Sequence, residues 1–109
     1  MFAKRYRLPA TIRFIPARFF KTPYFRVKYA RNSETVSRYG FVISKAVDKR
    51  AVVRNRIRRV FRSCIEEVQE KIVPGYDMLF FLEKGIINKQ RQEVLQEVLL
   101  QFKKHNLLQ

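Results

Sequence analysis

The sequence predicts an α+β fold, a two-layer sandwich in which a small mixed β-sheet is packed by helices. Three observations support this class. Residues 25–31 alternate apolar and mostly basic side chains, which is typical of a half-exposed strand. Residues 48–72 repeat apolar side chains at helical spacing, and residues 77–82 are almost continuously apolar, as in a strand covered on both faces. The predicted order is a proline-interrupted first helix, two strands, a helix, a strand and a helix, within one domain spanning residues 1–109.

Residues 1–23 form a basic segment that is interrupted by Pro9, Pro16 and Pro23. Proline has no N–H to donate, and it disfavours helical backbone at the residue before it. A first helix across residues 14–20 would therefore have to begin near Pro16 or kink there.

The strand at residues 25–31 is expected to pair with a return strand. Residues 32–37 are polar enough for a hairpin loop, and Tyr39 to Lys45 is the predicted antiparallel partner. One face of this pair would carry cations beside exposed aromatic rings, a combination that holds single-stranded nucleic acid by charge and stacking. The alternative is an ordinary core face opposite a solvated one.

The long helix is expected to begin close to Asp48, whose carboxylate can cap it, and to end before Pro74 and Gly75. Its apolar stripe, which belongs in a core, consists of Val53, Ile57, Val60, Phe61, Cys64, Ile65, Val68 and Ile72. Its cations lie around the outward side. A last helix, capped by Asn88, would pack on the sheet. The stripe of that helix consists of Leu95, Val98, Leu99 and Phe102.

Positive charge is concentrated in the first part of the chain. The net charge is +15, and 18 of the 24 Lys and Arg residues lie in residues 1–65, where Glu34 and Asp48 are the only acids. Arg54, Arg58 and Arg62 follow one another at a spacing of i, i+4, so like charges repel along the helix. One interpretation is a merely solvated face. An anionic partner explains a self-repelling row better, because each phosphate contact releases condensed counterions, and nucleic acid is favoured over an anionic membrane surface.

The sequence shows no catalytic constellation. His105, the only histidine, is expected to be exposed near the C-terminus, and Cys64, the only cysteine, to be a small core residue. Glu66, Glu67 and Glu70 are better explained as carboxylates that face water or arginines than as a metal cluster. We predict no catalytic residue, no metal site, no small-molecule substrate and no membrane partner. A cytoplasmic protein is expected, since we find neither a secretory signal nor an apolar run of the roughly 18 residues that a membrane span needs.

The basic helix resembles a known family in an unusual run of residues. The run is preceded by Ala51 and, at the end of a predicted strand, by Ser44 and Lys45, and it consists of Arg54, Asn55, Arg56, Ile57, Arg58 and Arg59. It resembles the signature of the bacterial ribonuclease P protein subunit. The resemblance extends from Arg7 and Leu8 to the last helix. The chain departs from the family pattern at Ala46, where a second lysine is common, and at Lys28, where relatives place an aromatic residue.

This resemblance implies a fold and a function. The long helix would join two parallel strands by a left-handed crossover, and the chain would be a single RNA-binding domain, the non-catalytic protein subunit of ribonuclease P. In that endoribonuclease a catalytic RNA removes the 5′ leader from precursor tRNA, with Mg²⁺ bound mainly by the RNA. The implied partners are the catalytic RNA and the 5′ leader.

The resemblance also implies which residues contact RNA. Those implied to bind RNA are Lys45, Lys49, Arg50, Arg54, Asn55, Arg56, Arg58, Arg59 and Arg62. Those implied to contact the leader are Phe14, Phe19 and Lys28.

Other functions have less support from the sequence. A small basic ribosomal protein that binds rRNA would have the same charge, but it would not explain the Arg-Asn-Arg signature. A membrane-surface protein would need apolar surface that this helix uses in the core, and a DNA-bending protein would need a dimerisation seam. A stand-alone nuclease would need an acid/base pair.

Overall fold

The structure, a computed structural model, describes residues 3–9 and 17–109. Its strands and helices are β1 (Arg18–Lys21), β2 (Phe25–Arg31), β3 (Arg38–Val42), α1 (Ala51–Val68), β4 (Tyr76–Leu82) and α2 (Arg91–Lys104). Short 3₁₀ turns occur at Lys4–Tyr6, Gln69–Lys71 and Lys84–Ile86. The α+β class and the mixed sheet are therefore confirmed.

The sheet order is β1-β2-β4-β3, so the last strand in sequence lies inside the sheet. Strand β4 pairs antiparallel with β2 and parallel with β3, and α1 connects the two parallel strands. The predicted hairpin between residues 25–31 and 39–45 is wrong, because β4 separates the two strands. The predicted return strand also ends earlier than expected, at Val42.

A buried carboxylate on β4 binds side chains at the ends of both neighbouring strands. Asp77 is 4% exposed and accepts hydrogen bonds from Asn32 Nδ2 at 2.9 Å and from Arg38 Nε at 2.8 Å. The side chains that follow β2 and begin β3 thus meet on β4. The continuous apolar run of this strand also suits a position flanked on both sides.

The hairpin of this protein joins β1 and β2. Phe20 pairs with Val27 and is buried, whereas its neighbour Phe19 pairs with Lys28 and is 77% exposed. The turn is held by Thr22, whose Oγ1 accepts the backbone N–H groups of Tyr24 and Phe25, both at 3.1 Å. The prediction of a helix across residues 14–20 is therefore wrong for residues 18–20, because residues 18–21 pair with β2 as a strand. The rest of that prediction lies outside the described residues.

The core lies between one face of the sheet, here called the helix face, and the two helices. Phe61 of α1 contacts Phe25 and Phe80, with ring centroids 5.3 and 5.1 Å apart, and Phe102 of α2 stacks 6.1 Å from Phe80. The predicted stripe of α1 is buried except for Val60, which is half-buried. Cys64 is fully buried, as predicted, and burial raises the pKa of its thiol.

Helix α2 begins later than the sequence pattern indicated. Gln90 is the N-cap, and it forms a reciprocal capping box with Glu93. Asn88, the predicted cap, instead adopts a left-handed conformation with φ of 64° in the preceding turn. At the other end, His105 is half-buried and its ring stacks 3.9 Å from that of Phe20. The expectation of an exposed histidine is wrong, because the end of α2 packs against β1.

The opposite face of the sheet, here called the outer face, carries Phe19, Lys21, Arg26, Lys28, Ala30, Asp77, Leu79, Phe81, Arg38, Gly40 and Val42. Residues 7 and 8 run beside the β3 edge, where Leu8 donates its N–H to Tyr39 O at 3.0 Å. A Cβ on Gly40 would lie 2.9 Å from Leu79 Cδ1 and 3.2 Å from Leu8 Cδ2. A glycine at this position lets Leu8 pack onto the outer face.

Candidate RNA-binding surface

The cationic surface begins in the loop of residues 43–50 that leads into α1. Asp48 Oδ1 accepts the backbone N–H of Arg50 at 2.9 Å, and its two oxygens take the Arg50 guanidinium at 3.0 and 2.9 Å. These hydrogen bonds lower the pKa of the Asp48 carboxyl to about 2. The helix begins close to Asp48, as predicted, but the carboxylate binds the residue before α1 and not the first amides inside it.

Arg54 holds this loop against the helix. Its Nη1 donates to the backbone oxygen of Asp48 at 3.0 Å and to that of Lys49 at 2.8 Å. Both carbonyls precede the helix and lie outside its backbone hydrogen-bond ladder. One of the signature arginines is thus largely engaged in positioning the loop.

Two other signature arginines also have contacts within the protein. Arg58 Nη1 donates to Asn55 Oδ1 at 3.3 Å, and the Arg62 guanidinium carbon lies 5.8 Å from the centroid of the Phe41 ring. Both side chains are half-buried. Their charges remain on the flank of α1, but their positions are set by neighbouring side chains.

The remaining predicted RNA-binding side chains are exposed. They are Lys45, Lys49, Arg50, Asn55, Arg56 and Arg59. Arg50 has the carboxylate of Asp48 as its partner. The exposed set therefore presents strong positive charge on the loop and on the first half of α1.

The structure adds Asn88 and Lys89 to this surface. They line a cavity of about 110 Å³ together with Arg56 and the apolar side of α1. Lys89 Nζ also lies 5.8 Å from the centroid of the Tyr24 ring. In the sequence, Lys89 is visible only as a basic residue in the stretch after Gly85. No sequence pattern indicated that it lies near Arg56.

On the outer face the structure brings two predicted leader-contact residues together. Phe19 and Lys28 are direct cross-strand partners, and Lys28 pairs on its other side with Leu79 of β4. Phe14, the third residue of that set, lies outside the described residues. Phe19 and Lys28 thus place an exposed ring beside a cation.

Arg26 and Phe81 form a second ring and cation pair on this face, which the sequence analysis did not identify. The Arg26 guanidinium carbon lies 4.9 Å from the Phe81 centroid, and its Nε bonds Glu83 Oε1 at 2.6 Å. Phe81 pairs with Val42, the last residue of β3, which is 41% exposed. The basic loop continues directly from Val42, so the outer face and the loop are contiguous. The alternation of Arg26 with Lys28 on one strand face was the available signal.

The described residues contain neither a metal-binding group nor a membrane-spanning helix. Across residues 3–9 and 17–109, no group of three His, Cys, Asp or Glu side chains is placed to hold a metal ion. Glu67 of the acidic trio instead pairs with Arg91 at 2.9 Å. In the same part of the chain, no helix combines the length and apolarity needed to cross a bilayer.

A mixed sheet backed by two helices, with cations along one helix and its leading loop, defines a basic α+β protein with a surface suited to a polyanion. The sequence model of the family described as Ribonuclease P matches residues 3–106, and the chain belongs to that family. The "Ribonuclease P protein component" of Synechocystis is 35% identical over 91 residues, covering 72% of this chain and 73% of that protein.

Two further comparisons agree. The protein of the same description from Synechococcus elongatus is 32% identical over 100 residues, covering 87% of this chain and 80% of its relative. The solved ribonuclease P protein of Thermotoga maritima shares the fold, with a TM-score of 0.79 at 22% identity over 90% of this chain and 96% of that one. This chain is thus a protein component of ribonuclease P, a ribonucleoprotein endoribonuclease of tRNA processing, and its partner is RNA. Nothing in the family match or the fold supports the alternative of a ribosomal protein.

Proposed function

We propose that this chain binds the catalytic RNA of ribonuclease P through α1 and the loop before it, and that it contacts the 5′ leader of precursor tRNA. In this way it assists the Mg²⁺-dependent removal of the leader. The observation that carries the proposal is the row of exposed cations from Lys45 to Arg59, in which Asp48 is the only carboxylate.

The RNA-binding residues have two different roles in this proposal. Arg56 and Arg59 are exposed and contact phosphates directly, whereas Arg54 keeps the loop in place through its bonds to the two backbone carbonyls. Lys45, Lys49 and Arg50 then meet RNA from a loop whose shape is already set. Preorganisation of this kind lowers the entropy cost of binding.

The leader contacts the outer face. Phe19 supplies an exposed ring for stacking, and Lys28 supplies charge beside it. Arg26 and Phe81 continue this surface toward the basic loop. Phe14 belongs to the same proposed set by its place in the family pattern.

The chemistry of cleavage belongs to the RNA in this proposal. Mg²⁺ would be held mainly by RNA phosphates. The protein reduces repulsion between two RNAs and holds the leader, so that less Mg²⁺ is needed. The whole chain acts as one RNA-binding domain. Because the proposed substrate is precursor tRNA, we place the protein in the cytoplasm.

The test is cleavage of a 5′-extended precursor tRNA at low Mg²⁺. The reaction is run with the protein alone, with a bacterial ribonuclease P RNA alone, and with both. We expect efficient cleavage at the mature 5′ end only with both, and weaker cleavage with the Arg56→Ala/Arg59→Ala variant. The control, Lys71→Ala/Lys84→Ala, removes the same charge from exposed positions outside the proposed surface and is expected to retain activity. Cleavage by the combination that is no better than by RNA alone would overturn the proposal.

The leader contact has a separate test. The Phe19→Ala/Lys28→Ala variant is compared with the unchanged protein on substrates with a leader of one nucleotide and of several nucleotides. We expect a loss of affinity only for the longer leader. An equal loss for both substrates would show that the outer face does not read the leader.

A further inference from the structure

A larger cavity lies on the helix face, at the end of the sheet where β2 ends and β4 begins. Its volume is about 470 Å³, and the described residues that line it are Arg18, Tyr29, Ala30, Arg31 and Tyr76. Small-molecule sites in proteins span about 300–1,000 Å³, so the cavity is large enough for one nucleotide. The cavity described at Arg56 measures about 110 Å³, and another cavity, between Tyr39 and Gln69, measures about 150 Å³, so both fall below that range.

The aromatic wall of the cavity is fixed by packing. The rings of Tyr29 and Tyr76 meet edge to face with centroids 6.0 Å apart, and Tyr29 is only 7% exposed. The backbone N–H of Tyr76 donates to Ser37 Oγ at 3.0 Å. The Arg31 guanidinium carbon lies 5.2 Å from the Tyr76 centroid, which places a planar cation over that ring. A tyrosine ring and a guanidinium plane are the surfaces on which nucleic-acid bases stack.

The cations of the cavity are available for an anion. Arg18 stands across from Tyr29 on the neighbouring strand, and both Arg18 and Arg31 are exposed. Within the described residues neither guanidinium has a carboxylate within 4 Å, whereas Arg26 and Arg38 of the same sheet are paired with Glu83 and Asp77. Two guanidiniums without a carboxylate partner among the described residues, beside a ring, match the phosphate and base of a nucleotide.

We propose that this cavity binds one nucleotide, with the base against Tyr76 and Arg31 and the phosphate on Arg18 and Arg31. A nucleoside phosphate could come from an RNA strand or from a free nucleotide, and the chemistry of recognition is the same. The site is distinct from the surface proposed above. It lies on the other face of the sheet from Phe19 and Lys28. Arg31 is also six positions along β2 from Phe25, about 20 Å at 3.3 Å per residue, and Phe25 follows Tyr24, the residue beside Lys89.

The experiment is a titration of the ¹⁵N-labelled full chain with AMP at one fixed ionic strength, followed through the amide signals of Ala30, Arg31 and Tyr76. Inorganic phosphate and ribose 5-phosphate are titrated in parallel. We expect a saturable response to AMP at these amides and at least tenfold weaker binding of both phosphates. The Arg18→Gln/Arg31→Gln variant should bind AMP at least tenfold more weakly. The Lys71→Gln/Lys84→Gln control, which loses the same charge, should stay within twofold of the unchanged protein.

The role of the ring is tested by Tyr76→Leu, with Tyr76→Phe as its control. We expect Tyr76→Leu to bind AMP no better than ribose 5-phosphate, and Tyr76→Phe to keep the difference. Unchanged amide signals from α2 verify that each variant is folded. A response confined to α1, equal affinity for phosphate and AMP, or full binding by the double arginine variant would overturn the proposal.

The source of the nucleotide is settled by competition. A short single-stranded oligoribonucleotide that displaces AMP from the cavity would identify an RNA strand as the occupant. AMP that stays bound while the oligonucleotide binds elsewhere would identify a free nucleotide. Both outcomes support the cavity as a nucleotide site, and neither depends on cleavage of precursor tRNA, so this proposal and the proposed function can fail separately.

Discussion

Arg38 and Asp77 form a two-point ion pair across β3 and β4. Arg38 Nε lies 2.8 Å from Asp77 Oδ1, and its Nη2 lies 2.9 Å from Oδ2. The carboxylate side chain is 6% exposed, and Asn32 donates a further hydrogen bond to it from the end of β2. The pair therefore connects the three strands whose order the sequence did not reveal.

We expect Asp77→Ala to destabilise the fold by about 3 kcal/mol, since removing one partner of a buried pair leaves the other charge uncompensated. The matched control is Glu83→Ala, which breaks the exposed pair with Arg26, whose side chain is 51% exposed. That change should cost about 1 kcal/mol or less. Urea unfolding of both variants measures the two free energies. Equal losses would show that burial does not strengthen the inner pair.

The Asp48 carboxyl is predicted to stay ionised to about pH 2, because the Arg50 hydrogen bonds lower its pKa from 3.8 to about 2. A lowered pKa in the folded state means that ionisation stabilises the fold above the unfolded pKa. This contribution is lost as the pH falls from about 4 to about 2. A ¹³C titration of the carboxyl group measures the midpoint.

Arg50→Gln should move the Asp48 midpoint back toward its ordinary value. Arg54→Gln should move it less, since Arg54 acts on the Asp48 carboxyl group through charge alone and is the smallest of the causes that lower its pKa. A midpoint near 3.8 in the unchanged protein would contradict the geometry of the Asp48 and Arg50 pair.

Affinity for single-stranded RNA should fall steeply with salt. If about six phosphates are engaged, log K falls by about 4 for each tenfold rise in salt, at about 0.7 per phosphate. Arg56→Gln should reduce this slope by about 0.7, because it removes one exposed phosphate contact. Lys71→Gln serves as the control with an unchanged slope. Affinity that hardly depends on salt would contradict phosphate binding by α1 and its loop.

Gly85→Ala should destabilise the protein by about 1–3 kcal/mol, as overpacking does. A Cβ at this position would overlap the carbonyl oxygen of Pro23 and lie 2.9 Å from its carbonyl carbon, and this backbone cannot turn aside as a side chain can. Gly75→Ala tests a different cause, since its φ of 89° strains any residue with a side chain while the nearest atom is 3.9 Å away. Thermal unfolding compares both with the unchanged protein. A Gly85→Ala variant as stable as the unchanged protein would show that the Pro23 turn moves freely.

Sequence periodicity predicted the features of this fold that depend on one element at a time. The stripe of α1 and the alternation of β2 are local patterns, and burial in the structure follows both. Strand pairing is not local, because Tyr39 to Val42 has the same pattern whichever neighbour it has. The contacts that join β4 to its neighbours include those of Asp77, a buried carboxylate whose partners are 39 and 45 residues away in sequence. Strand β1 was missed because its hydrogen bonds come from β2 and its own four residues carry little pattern.

The candidate surface shows the same division. The charge of the signature helix can be read from composition, and the sequence predicted which residues carry it. The role of Arg54 in holding the loop depends on where the loop places the carbonyl groups of Asp48 and Lys49. A helical sequence pattern carries no information about these positions. The proximity of Lys89 to Arg56 similarly depends on the turn before α2.

The central position of β4 also has a consequence for synthesis on the ribosome. Strands β2 and β3 emerge long before Leu82, and until then each lacks the neighbour that separates them in the finished sheet. A nascent chain of this length has two strand edges without native partners, and it already carries most of its positive charge. Like charges on two such chains repel each other, and this repulsion opposes pairing between the open strand edges of different copies.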